Sequence, residues 1–348
     1  MPFASLPRPA PAAAAEDPPL SAKARFLARP EAYAHRPSRV GVIETTLSFV
    51  FLAGPRVYKL KKPLVSSVFD FSTLEKREAD CRAEAALNAR LAEGVYLGVV
   101  PLTRGPGGLA IGGEGETVDW LVAMRRLPAN RMLDRVIRAG RVTRGEIATL
   151  GERLAAFYAR AQRPRVDPAH YPARFARQIS EARMLLAEPV VADARAPFAA
   201  ALGRFEARLA ADRPLLEARA LEGALVDGHG DLRPEHVCLT DPIAIFDCLE
   251  FSDALRIVDP LDEIAYLALE CRRLGAPAVG PAVEAAVAER LGDDAPPRLV
   301  ALYTAARALL RARQCLAHLL PRRKRRARAW RPLTRTYLSI AEEALADT

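Results

Sequence analysis

Two acids stand out by what surrounds them. Asp231 lies in the run Asp227-Gly228-His229-Gly230-Asp231-Leu232-Arg233-Pro234-Glu235-His236-Val237, and Asp247 closes the apolar stretch Ile243-Ala244-Ile245-Phe246. An acid on a Gly/Pro-punctuated loop, followed by an apolar strand ending in a second acid, is a common way to aim two carboxylates into one cleft. The spacing places them on opposite arms of a short hairpin. Two such charges repel unless a cation lies between them, so a divalent metal is the economical inference. Carboxylates holding a metal serve phosphoryl transfer or hydrolysis.

The elements that would position these groups are readable from pattern. Residues 38–44 (SRVGVIE), 48–52 (SFVFL) and 57–61 (VYKLK) read as a three-strand meander, punctuated by Gly54-Pro55 and closed by Pro63. Strand alternation puts Lys59 and Lys61 on one face, with Lys62 opposed. Residues 72–92 read as a helix opening on Ser72-x-x-Glu75, a capping-box spacing, and stopping at Gly94. Cys81, Glu84, Asn88 and Leu91 fall on one stripe of it. An acid on such a stripe points inward and needs a cation, which Lys59 supplies. Residues 95–103 and 118–125 read as further strands joined by a glycine-rich hairpin loop. Its Gly105-x-Gly107-x-x-Ala110 spacing matches the dinucleotide fingerprint, but no helix opens there to meet a pyrophosphate, and that reading is excluded. Beyond Arg131 the text is mostly helical (146–161, 170–187, 194–221, 261–273, 282–291, 298–320), interrupted by strand and loop over 224–251. The expected organisation is a loose Pro/Ala-rich tail (1–25), a β-rich lobe (26–127) and a helical lobe (128–348) carrying the loop 227–251, with the lobes around a cleft.

His229–Val237 (HGDLRPEHV) resembles the catalytic loop of the protein-kinase-like superfamily, and especially that of its aminoglycoside phosphotransferase branch, where glycine separates His from Asp. Ile245-Phe246-Asp247 is similar to that superfamily's metal-binding acid, and Asp259-Pro260-Leu261-Asp262-Glu263-Ile264-Ala265 to the branch's Asp-rich helix start. Val57-Tyr58-Lys59-Leu60-Lys61-Lys62-Pro63 resembles the third-strand lysine motif and Glu84 the helix glutamate. The similarity covers about residues 38–270 and points to an uncharacterised subgroup often fused to a P-loop ATPase domain. No GxxxxGK[ST] occurs here, so the kinase-like part alone is expected.

The resemblance implies an α+β, bilobal protein-kinase-like fold and ATP-dependent transfer of the γ-phosphoryl group to a hydroxyl of a small molecule. Asp231 would accept the acceptor's proton, Arg233 would bind the γ-phosphate, and Asp247 would hold Mg²⁺. His229 would be structural. Lys59, with Lys61 as the alternative, would reach the α- and β-phosphates and pair with Glu84. The Thr45–Ser48 loop lacks a Gly-x-Gly pattern, leaving Thr45 and Ser48 hydroxyls and amides to cap phosphate. Adenine would meet the backbone at Met124, Arg125 and Arg126. His236 departs from the pattern, since relatives carry Asn as an oxygen ligand to a second Mg²⁺. Imidazole suits Mg²⁺ poorly, which leaves a one-metal kinase, a site favouring Mn²⁺, or a weakened enzyme. Two other classes stay open: a nucleotide-binding regulator without catalysis, and nucleotidyl transfer on the same scaffold.

Composition sets outer limits. The 348 residues are 50% hydrophobic and 27% charged, which is globular usage. No apolar run is long enough to span a membrane, the first twenty residues lack a secretory pattern, and five cysteines without CxxC spacing suit a reducing compartment; cytoplasm is the expected location. The net charge of +9 invites a nucleic-acid partner, but its one dense run, Arg322-Arg323-Lys324-Arg325-Arg326, reads as a solvated helix face. Nucleic acid is not expected. Scattered acids such as Glu250, Asp253 and Glu270 against many arginines argue against a cationic antibiotic as acceptor and tolerate an acidic one.

Overall fold

Strand alternation and one long helix build the first of two units. In the computed structural model, which describes residues 8–9, 18–320 and 327–346, this unit comprises Ala4–Arg131 and Cys238–Asp253. Strands β1 (Val40–Glu44), β2 (Ser48–Ala53) and β3 (Arg56–Lys61) form the meander. With β4 (Tyr96–Gly105), β5 (Gly108–Ile111) and β6 (Glu116–Arg125) they make a six-stranded antiparallel sheet in the order β1-β2-β3-β6-β4-β5. The glycine-rich connection therefore contains a short strand, β5, and no helix starts there.

The sheet's two faces differ. Phe51, Leu60 and Leu121 share one face and are completely buried with Leu27 and Tyr33. Leu27 ends helix α1 (Leu20–Leu27), which falls partly within the expected tail. The correction has a plain cause. Leu20, Ala24 and Leu27 recur at helical spacing, and buried Lys23 finds Asp119 Oδ2 at 3.0 Å and the Val118 carbonyl at 2.6 Å. The opposite face carries the row Ile43–Val50–Lys59–Val122 in register across β1, β2, β3 and β6. Helix α2 (Leu74–Ala89) belongs to the same unit; its N-cap is Thr73, whose hydroxyl accepts from the Lys76 amide, rather than Ser72.

The second unit comprises Met132–Val237 and Ala254–Thr348 and is helical: α3 (Leu133–Arg138), α4 (Arg144–Arg160), α5 (Arg174–Leu186), α6 (Ala192–Ala211), α7 (Arg213–Leu221), α8 (Pro260–Arg273), α9 (Val279–Leu291), α10 (Pro297–Ala317) and α11 (Ala327–Ala346). The expected continuous helix over 194–221 breaks at Asp212, where Pro214 in the next turn carries no amide to continue the ladder. The core includes Phe198, Phe205, Leu216, Leu299 and Tyr303. Val226–Asp227 pairs antiparallel with Ile257–Val258, and the loop with Asp231 leaves from this two-residue ladder. Residues 238–253, expected with the helical lobe, group with the β-rich unit, so Asp231 and Asp247 belong to different units. The basic run 322–326 lies outside the described residues. Among the described residues no helix is long and apolar enough to cross a membrane.

Candidate active site

In the β-rich unit, alternation along β3 turns Lys59 and Lys61 to the same face, and α2 presents Glu84 to both. The Lys59 ammonium lies 2.8 Å from Glu84 Oε1 and 3.1 Å from Asp247 Oδ1. The Lys61 ammonium lies 2.7 Å from Glu84 Oε2 and 2.5 Å from Asp80 Oδ2, and also contacts Glu250 Oε1. One carboxylate thus serves two lysines. Burial would raise the Glu84 carboxyl, but the two lysines outweigh it and hold it below the ordinary range. Burial likewise opposes the ammonium charges, yet the surrounding acids push both lysines well above their usual value. Exposure separates the pair. The Lys59 side chain is 15% exposed and reaches half-exposed Asp247, whereas Lys61 is 2% exposed and closed in by carboxylates.

Asp247 is held in the left-handed backbone region, with φ of 63°. Aspartate tolerates this conformation better than most residues, and such strain persists where neighbours over-determine it. Here they do. The Asp247 amide donates to the Tyr96 hydroxyl at 3.4 Å, the Cys248 amide to Asn88 Oδ1 at 2.9 Å, and the Ile245 amide to the Leu91 carbonyl at 3.0 Å. Asn88 and Leu91 occupy the helix stripe read from the sequence, so its inward face fixes both Glu84 and the segment bearing Asp247. Tyr96 and Glu250 were not singled out as site residues. Glu250 sits three residues after Asp247, which was the available signal; Tyr96 left none.

The Thr45–Ser48 turn and the Met124–Leu127 stretch make other bonds than those expected. The Thr45 hydroxyl accepts from the Ser48 amide at 2.9 Å and lies 3.0 Å from the Ser48 hydroxyl, and Ser48 is buried. Both hydroxyls therefore shape the turn, with Lys62 Nζ bound to the Thr45 carbonyl at 2.7 Å and to Glu44 at 2.8 Å. After Met124, which lies on the Lys59 face, the Arg125 amide donates to the Val95 carbonyl and the Arg126 amide to that of Pro55. Their guanidinium groups bind the Gly94 and Gly54 carbonyls. Pro128 has no N–H, so Leu127 carries the remaining amide donor of this stretch.

In the helical unit, a buried carboxylate organises the loop. Glu263 Oε1 accepts from the His229 amide at 2.8 Å and from the Gly230 amide, while Oε2 accepts from the Tyr158 hydroxyl at 2.9 Å. A Cβ at Gly228 would sit 2.7 Å from Glu263 Oε2, which is why the loop needs glycine there. Gly230, at φ of 86°, takes the bend before Asp231. His229 is buried, and its Nδ1 accepts from the Asp231 amide at 3.3 Å. Arg233 turns back onto Asp231 as a fork, Nε to Oδ1 at 2.9 Å and Nη2 to Oδ2 at 2.8 Å. Burial raises the Asp231 carboxyl, but the Arg233 guanidinium overcomes it and holds it below its usual value.

His236 corrects an expectation. Its Nδ1 lies 2.8 Å from the Asp231 carbonyl and must donate, so the lone pair is on Nε2, where Arg233 Nη2 stands at 3.1 Å. An imidazole with one nitrogen donating and the other receiving a guanidinium N–H has no lone pair for a metal. His236 is a brace of the loop. The Asp-rich helix start is also structural: Asp259 caps α8 and takes a bidentate bond from Arg219 at 2.7 and 3.0 Å, and Asp262 takes one from Arg307 at 2.6 and 2.9 Å.

The fold has counterparts among solved kinases and phosphotransferases. It is shared with a choline/ethanolamine kinase family protein from Mesorhizobium loti (TM-score 0.55, 17% identity, 93% of this chain and 94% of that one) and a choline kinase from Cryptosporidium parvum (0.53, 12%, 89% and 90%). A spectinomycin phosphotransferase solved with ADP and its antibiotic is similar to the same degree (0.52, 10%, 88% and 93%). In sequence, the chain is 36% identical over 280 residues to uncharacterised proteins of Mycobacterium bovis and Mycobacterium tuberculosis, covering 79% of this chain and 54% of theirs. The chain spans about half the length of these curated relatives. No protein-family model matches it.

Proposed function

We propose that the chain is an ATP-dependent phosphotransferase acting on a hydroxyl of a small molecule. The observation that carries this reading is Lys59, which bridges the helix acid Glu84 and the strained Asp247 within one unit. Phosphoryl transfer needs fixed charges around phosphate more than covalent chemistry, and this trio supplies them. Lys59 would bind the α- and β-phosphates. Asp247 offers a half-exposed carboxylate, the oxygen donor a hard cation such as Mg²⁺ takes, whereas His236 does not fit. When bound, the metal would neutralise charge on the β- and γ-phosphates. Ile43, half exposed on the Lys59 face, would cover the base with Val57, and the Leu127 amide would serve as hydrogen-bond donor to adenine.

In the other unit, Asp231 would orient the acceptor hydroxyl and take its proton. The fork from Arg233 keeps that carboxylate ionised and fixed, which supports reading Arg233 as a positioning group for Asp231 rather than as a standing phosphate ligand. The same fork favours one second reading, a nucleotide-binding regulator of little turnover, because it engages both oxygens of the base. The deciding experiment is a metabolite panel scored for MgATP consumption, with Asp231→Asn as the blank. Transfer that depends on Asp231 and adds the mass of a phosphoryl group supports the proposal. An added nucleotidyl mass points to nucleotidyl transfer instead. Nucleotide-dependent thermal stabilisation without turnover points to the regulator.

A further inference from the structure

Lys61 is too enclosed to be a ligand of anything that enters from solvent, yet it is the most heavily contacted cation of the site. Its ammonium meets acids from two further pieces of chain: Asp80 and Glu84 on α2, and Glu250 on the segment that carries Asp247. The Phe71 ring lies 5.3 Å from it, and the Phe251 ring meets Phe71 edge-on at 6.5 Å, which excludes water from this side. The contact to Glu84 is specific to one oxygen. With Oε2 on Lys61, the carboxylate plane is fixed and Oε1 is turned to Lys59 at 2.8 Å. The contact to Glu250 anchors the chain three residues beyond Asp247, on the side of it opposite in sequence to the Ile245–Leu91 bond.

We propose that Lys61 is a positioning residue for phosphoryl transfer. It ties Glu84 and, through Glu250, the Asp247 segment to a single buried ammonium, and it does not itself touch the nucleotide. The inference rests on the phosphotransferase reading above. A displacement of reacting groups by about 1 Å costs on the order of 100-fold in rate, so a tether of this kind acts on turnover and leaves the nucleotide contacts themselves in place.

The test uses the full chain with MgATP as sole substrate, reading phosphate release and binding of a fluorescent ATP analogue at a temperature where every variant is folded. Lys61→Met and Glu250→Gln are each expected to lower kcat by about 10-fold or more while KM for MgATP stays within about 3-fold. The double variant is expected to lose little more than Lys61→Met alone, because both act through one contact. If Lys61→Met fails to fold, the isosteric Glu250→Gln decides by the same split. A KM raised about 10-fold or more with kcat retained would make Lys61 a phosphate ligand and overturn the proposal. A lowered melting temperature with kcat and KM both unchanged would overturn it too, leaving Lys61 a structural ion pair. A wild-type chain that neither binds nor turns over MgATP would sink the phosphotransferase reading first, and this proposal with it.

Discussion

The helical unit and the lysine cluster of the β-rich unit treat their acids in opposite ways. In the helical unit each buried acid is matched: Asp259 by Arg219 and the Tyr303 hydroxyl, Asp262 by Arg307 with Arg174 at 3.3 Å, Glu270 by Arg311, Arg273 and the Tyr337 hydroxyl, and Glu263 by amides and a tyrosine. In the β-rich unit two lysines, Lys59 and Lys61, face four carboxylates: Asp80, Glu84, Asp247 and Glu250. Matched acids fix a scaffold, because any partner removed leaves an unpaired buried charge. An under-neutralised cluster has use for a further cation or a proton. The local surplus of negative charge around Lys59 and Lys61, set against the matched acids of the helical unit, falls at the place the proposed function assigns to a metal nucleotide.

The largest expected effect comes from altering the charges of this cluster. Lys59→Met or Asp247→Asn should lower MgATP turnover by about 1,000-fold, on the order of 4 kcal/mol of transition-state stabilisation, with the melting temperature changed far less. Turnover within about 10-fold of wild type would remove these residues from the chemistry. On the matched side, Glu263→Ala should cost about 2–3 kcal/mol of unfolding free energy in denaturant, because the His229 and Gly230 amides lose their buried acceptor. An unchanged midpoint would show that the loop does not depend on Glu263.

A subtler effect follows from the proton. Burial above all, with Glu84 and Asp80 adding to it, pushes the Glu250 carboxyl from 4.5 up to about 7 despite Lys61. The folded chain then binds more protons than the unfolded chain between those values, so the stability contributed by Glu250 is present at low pH and is lost as pH rises from about 4.5 to about 7. The melting-temperature difference between wild type and Glu250→Gln should fall across that window and level off above it. A pH-independent difference would contradict the shift. The smallest expected effect concerns His236. Because its nitrogens brace Asp231 and accept from Arg233, His236→Asn should leave the Mg²⁺-to-Mn²⁺ activity ratio unchanged within about 2-fold. A pronounced swing toward Mg²⁺ would restore His236 as a metal ligand.

Much of this site was legible because short-range periodicity controls it. Lys59 and Lys61 share a face by strand alternation, and Glu84 and Asn88 face inward by helical spacing; neither requires knowledge of distant contacts. What escaped was set by tertiary placement. Helix α1 looked like tail because proline and alanine precede it, and only the buried pairing of Lys23 with Asp119 explains its position. The hydroxyls of Thr45 and Ser48 looked available, but side-chain-to-backbone bonds in a tight turn engage them. Residues 238–253 follow the Asp231 loop in sequence yet belong to the other unit through bonds to Asn88, Leu91 and Lys61, which no local pattern announces. The tautomer of His236 depends on a carbonyl and a guanidinium that only the folded loop brings to it.

The central claim is met most directly by equilibrium titration of the purified chain with ATP, with and without Mg²⁺. The account predicts saturable binding that needs Mg²⁺ and weakens at least about 10-fold in Lys59→Met. Binding that ignores both the metal and Lys59, or no binding at all, would contradict it.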